Sequence, residues 1–117
     1  MDSPSVHSAL RQARRAAPLA CVPGAIPAAE RASHVARAER LFGGAVRETR
    51  ELPDGRAYAF DDDAFDELAR WITLERRCCP FLTFALELVP STRALTLRLT
   101  GPAGTRALLD ATLASTH

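Results

Sequence analysis

A chain of 117 residues, 47% hydrophobic and 25% charged, has room for one domain with an adequate core and the composition of an ordinary globular protein. Its net charge of +1, with arginines interleaved among aspartates and glutamates, lacks the one-sided basic excess of a nucleic-acid-binding element, so no nucleic-acid partner is expected. No apolar run approaches the roughly 20 residues that cross a bilayer, and Met1-Asp2-Ser3-Pro4 does not open a secretory signal, so the expectation is a cytoplasmic protein with no membrane partner and reduced thiols.

Lysine and asparagine are absent. That usage is typical of GC-rich coding, so the Ala- and Arg-rich stretch 7–17 is not read as a transit peptide. Pro4 and Pro18 interrupt residues 1–20, which read as a flexible or loosely helical arm ahead of a single domain over 21–117. Cys21 falls in a loop punctuated by Pro23, Gly24 and Pro27. A first helix is predicted from Pro27 or Ala28 to about Phe42, stopped by Gly43-Gly44, with Val35, Ala38, Leu41 and Phe42 as its apolar stripe.

Two strands follow, Ala45 to Leu52 and Ala57 to Phe60, joined by the turn Pro53-Asp54-Gly55-Arg56. A second helix begins near Asp63, capped by Asp62 or Asp63, and buries Phe65, Leu68, Ala69 and Ile72, with Trp71 flanking this stripe. Pro80 disfavours helical geometry at Cys79, so this helix ends at about Cys78. Leu82, Phe84, Leu86 and Leu88 share one face of a third strand, and Leu95, Leu97 and Leu99 one face of a fourth. Gly101-Pro102-Ala103-Gly104 opens a last helix.

The segment from Pro53 echoes the segment from Pro90, each a hairpin followed by a helix. The expected fold is α+β: a leading helix, then two strand-strand-helix units. These form one four-stranded antiparallel sheet with helices on one face. Thr83, Glu87, Thr96 and Arg98 would lie on the other, wet face.

The chemistry concentrates in Glu75-Arg76-Arg77-Cys78-Cys79-Pro80-Phe81. Adjacent cysteines make a strained disulfide, and with Cys21 the count is three, which cannot pair completely within one chain. Thiolates are preferred ligands of soft ions. Three of them, Cys78, Cys79 and Cys21, suit Hg(II) or As(III), and a fourth ligand, Glu75 or His34, would suit Zn(II). Glu75 precedes the pair by three and four residues, so its side chain can face both thiols along a helix. A helix C-terminus opposes thiolate formation, which favours ligation over nucleophilic catalysis, because a bound metal itself displaces the proton. Two other readings stand beside ligation: cysteines that fill core space, and a redox or other thiol chemistry.

Elsewhere the residues read as structural. His34 is expected at the surface, Tyr58 and Trp71 in the core or at its edge, and Asp61-Asp62-Asp63 as a cap and not a hard-ion cluster. The 101–104 turn before the last helix lacks a phosphate-binding lysine.

The stretch Leu74–Phe84, with Leu97-Arg98-Leu99-Thr100-Gly101-Pro102 and Cys21 after an alanine, resembles a group of small, mostly uncharacterised bacterial proteins. Their pattern is an E-R-x-C-C-P-F core and a later L-x-L-T-G-P, and the resemblance covers about residues 20–113. It implies mercury or arsenic handling in heavy-metal resistance. The pair is also similar to the Cys-Cys tail that collects Hg(II) in mercuric reductases, but the chain has no dinucleotide-binding glycine fingerprint. The leading expectation is a binder of a soft metal ion or small organometal. The alternatives are a small thiol-dependent enzyme, an organometal lyase or reductase with Glu75 as proton donor, and a non-catalytic interaction protein forming a homodimer through the exposed sheet face.

Overall fold

The computed structural model describes residues 22 and 24–113. The expected arm, residues 1–20, and Cys21 lie outside them. The first helix, α1 (Ala28–Arg40), starts immediately after Pro27, with Glu30 in its first turn and Arg37 and Arg40 in its last, the charge order that its dipole favours. It does not stop at Phe42. Leu41–Ala45 forms one wider π turn, closed by the Val46 N–H donating to the Leu41 carbonyl at 2.8 Å. Consecutive glycines at 43 and 44 weaken the α geometry there, and the wider turn leaves both Leu41 and Phe42 buried.

Strand β1 (Glu48–Leu52) is shorter than expected because Ala45 belongs to that turn, whereas β2 (Gly55–Asp61) gains residues at both ends. Gly55 is required by packing: a Cβ there would sit 1.8 Å from the Leu99 carbonyl oxygen. A 3₁₀ turn, Asp62–Ala64, leads into α2 (Phe65–Cys78). Neither Asp62 nor Asp63 caps this segment through its side chain. The Asp62 carboxylate instead accepts from Arg93 Nε at 3.1 Å, pinning a residue in the left-handed region (φ 59°) between β3 (Thr83–Val89) and β4 (Ala94–Thr100). Gly104, with φ 97°, begins α3 (Thr105–Thr112). Among the described residues, no helix is long and apolar enough to cross a membrane.

The four strands form one antiparallel sheet in the order β1-β2-β4-β3. Register places Tyr58, Leu97 and Leu86 in one row and Phe60, Leu95 and Leu88 in the next, all on the same face. Leu41, Phe42, Leu68, Trp71, Leu109 and Leu113 from the helical segments pack into the core that this face begins. The expected α+β architecture, a leading helix and two strand-strand-helix units, is the one observed.

Phe42 is the hub of that core. It is fully buried and meets Tyr58, Phe60 and Trp71 edge-on, with ring centroids 5.1, 5.9 and 4.9 Å away. Edge-to-face contacts add to the worth of the buried area. Trp71 is therefore a core residue and not a flank of the α2 stripe. On the far side, Arg56 Nε and Nη2 donate to the two oxygens of Asp110, joining β2 to α3.

Phe42→Ala should destabilise the fold by about 3–5 kcal/mol, read as a lowered urea midpoint with little change in slope; a loss below about 1 kcal/mol would show that the hub is dispensable. The single tyrosine offers a second check. Burial pushes the Tyr58 phenol from about 10 up to about 12, outweighing the nearby Arg56 guanidinium. Its folded value lies above its unfolded value. The associated stability is therefore complete below about pH 10 and is lost as pH rises through about 12, on the order of 2–3 kcal/mol in all. Tyrosinate absorbance of the native protein should titrate near the higher value, and a midpoint near the lower one would contradict the burial argument.

Candidate metal site

The site is assembled at the C-terminal end of α2. Cys78 is the last helical residue, and Cys79, held out of helical geometry ahead of Pro80 (φ −121°, ψ 73°), leaves the helix as expected. Its N–H still donates to the Glu75 carbonyl at 2.8 Å, so Cys79 keeps a helical offset from Glu75 after leaving the helix. The Cys79 thiol donates to Glu75 Oε2 at 3.1 Å. Glu75 thus faces the pair, and its carboxylate and both sulfurs lie within 4.8 Å of one another. These three residues are close enough to bind a metal ion. With metal–sulfur bonds of about 2.3 Å, one soft ion can touch two sulfurs up to about 4.6 Å apart.

The other carboxylate oxygen of Glu75 is engaged from α1. His34 Nε2 donates to Glu75 Oε1 at 2.7 Å. A carboxylate offers no proton, so Nε2 carries the hydrogen of this bond. Nδ1 is then left buried, without a hydrogen-bond partner among the described residues. The imidazole lies parallel to the Trp71 indole, ring centroids 6.3 Å apart. His34 is 6% exposed, which overturns the expectation of a surface histidine; Val35, assigned to the α1 stripe, is instead 55% exposed. The buried stripe keeps Ala38, Leu41 and Phe42 of that reading and takes His34 in place of Val35. It passes through His34, Ala38 and Leu41, spaced i, i+4, i+7, a pattern already present in the sequence. As a candidate zinc ligand His34 is reassigned: its Nε2 is bonded to Glu75, where it braces the carboxylate.

The two cysteines face different surroundings. Cys79 is buried, beside a void of about 10 Å³ between Trp71, Glu75, Phe81 and Leu109, about the space of one water. Cys78 is half-buried and opens onto a surface cleft together with His34 and Glu75. Its carbonyl accepts the Val22 N–H at 2.7 Å, one of the last four carbonyls that a helix cannot satisfy itself. That bond fastens Val22, next in sequence after Cys21, to the thiol-bearing end of α2. Cys21 itself lies outside the described residues. Arg76 and Arg77 are exposed, and Arg76 donates to the Thr73 carbonyl. No protein family, curated protein or solved structure matches the chain.

The bond between His34 and Glu75 predicts energetic coupling between α1 and α2. A double-mutant cycle with His34→Leu and Glu75→Leu should give a coupling on the order of 1 kcal/mol in denaturant unfolding. Each single variant should cost more than the pair, because it leaves a buried polar group unmatched. Simple additivity would mean that the bond contributes nothing.

Proposed function

We propose that the chain captures a soft, thiophilic metal or organometal of the mercury or arsenic kind on the sulfurs of Cys78 and Cys79. The observation that carries this reading is the contact between Glu75 and the pair: a carboxylate that accepts the Cys79 S–H at 3.1 Å and lies within 4.8 Å of both sulfurs. A metal–thiolate bond forms with loss of the thiol proton. Glu75 is placed to accept that proton from Cys79, and buried His34 fixes the carboxylate's orientation by holding its other oxygen. Cys21 is the third thiolate of this proposal, supported by the anchoring of its neighbour Val22 on Cys78. The E-R-x-C-C-P-F resemblance supports a role in heavy-metal resistance.

The same carboxylate favours a second reading, an organometal lyase. With R–Hg held on sulfur, a proton from Glu75 would pass to carbon as the C–Hg bond breaks, releasing R–H and leaving Hg(II) on the thiolates.

Hg(II) and arsenite titration of the reduced protein tests capture. The single tryptophan, Trp71, lines the same small void as Cys79 and Glu75, so its fluorescence reports occupancy. Stoichiometric quenching is expected in the parent, and its loss in Cys78→Ser/Cys79→Ser. Undiminished affinity in that variant would defeat the reading. Release of R–H from an organomercurial by the parent but not by Glu75→Gln would favour the lyase over capture alone.

A further inference from the structure

The cleft beside Cys78 is larger and more apolar than a metal ion requires. It is an open surface cleft of about 460 Å³, a volume within the range of small-molecule sites. Its apolar walls are Val22, Ile26 and Val35, and its polar lining is Arg31, His34, Glu75 and Cys78. Of the four large hydrophobic side chains exposed among the described residues, two, Val22 (45%) and Val35 (55%), border this one cleft. Exposed apolar side chains are unremarkable singly, but a pair flanking a pocket that contains a thiol is a surface with a use. His34 adds a polar group that is buried and only half satisfied, its Nδ1 having no partner among the described residues.

We propose that this cleft receives the organic substituent of the cargo, so that the preferred ligand is a monoorganyl compound of a soft element, R–As(III) or R–Hg(II), with R an apolar group of about phenyl size. This inference rests on capture by Cys78 and Cys79 and specifies the cargo. Trivalent arsenic takes three bonds. An inorganic ion could take all three thiolates, whereas R–As(III) takes only Cys78 and Cys79, leaves Cys21 unbound, and uses its third bond, to carbon, to direct R away from the pair. Cys79 is walled in by Phe81 and Leu109, so the open direction is the Cys78 side, where the apolar walls stand. Loading involves no redox change. For an arsenic(III) oxide R–As=O, the two thiols supply two protons to the departing oxygen, two As–S bonds form as the As–O bond breaks, and one water leaves. The As–C bond is retained. For R–Hg–X, one thiol loses its proton, an S–Hg bond forms and X⁻ departs.

The test is competition of the reduced protein against a small dithiol, with phenylarsine oxide, its methyl analogue and arsenite as probes, followed by phenylmercury against Hg(II) to compare the two elements. Normalising to the dithiol removes the intrinsic thiophilicity of each probe. The parent should prefer the phenyl over the methyl arsenical by about tenfold. Val35→Asp places a charge on the exposed cleft wall without touching the core. It should abolish most of that preference while leaving arsenite affinity within about twofold. Val89→Asp, at an exposed apolar position outside the cleft, should change neither. Arsenite binding with no phenyl preference overturns this inference and leaves capture standing, as does equal weakening of all probes by Val35→Asp. Failure of every probe to bind overturns both.

Discussion

A carboxylate withdrawn from water must be given donors, or its burial opposes folding. Glu75 is given two from opposite directions: the His34 imidazole from α1 and the Cys79 thiol from the residue just beyond α2. The rest of the site depends on that sharing. It sets the face of α1 that turns inward, since His34 can reach Glu75 only if it lies in the buried stripe. It fixes the Cys79 side chain relative to the helix that Cys79 has just left. It also leaves Glu75, among the described acidic residues, with its carboxylate in reach of both sulfurs of the vicinal pair.

The scaffold keeps those two helical segments together through a separate interaction. Phe42 fills the space between Trp71 on α2 and Tyr58 and Phe60 on β2, and it reaches that space through the π turn that ends α1. Eight residues, about two helical turns, separate His34 from Phe42. The hub and the brace are therefore two attachments of α1 to the same neighbour, one apolar and one polar, and Trp71 is common to both because its ring also lies parallel to His34. Rigid attachment matters for the chemistry, because a carboxylate useful to a thiol must stay within hydrogen-bond reach of it.

Much of this was legible in the sequence. The alternating leucines of β3 and β4, the Pro-Asp-Gly turn and the proline after the cysteines each act locally, and the elements formed where those signals lay. The separation of Glu75 from the pair by three and four residues predicted their meeting for the same local reason. Two features were not legible from single residues. The π turn arises because Gly43-Gly44 follows side chains that the core demands, so a stop signal became a widened turn. His34 was misplaced because a histidine on a weak, Ala-rich stripe carries no apolar signal, and Val35 beside it does. The i, i+4, i+7 spacing through His34, Ala38 and Leu41 held the answer, but only a partner 41 positions away makes a buried histidine there worth its desolvation. Asp62 shows the same pattern: a cap by local logic, it pairs instead with distant Arg93.

The two thiols, adjacent in sequence, are chemically unequal because Pro80 divides their surroundings. Cys78 belongs to the helix and faces the cleft; Cys79 is turned inward, onto the carboxylate and against the aromatic core. On the proposed capture, an incoming thiophilic compound would reach the half-buried sulfur first and would gain a second sulfur only beside the proton-accepting carboxylate. Such an order would separate recognition, set by what the cleft admits, from retention, set by chelation by the second thiol. On that reading, the asymmetry is what would let an apolar wall beside one cysteine act on the choice of cargo.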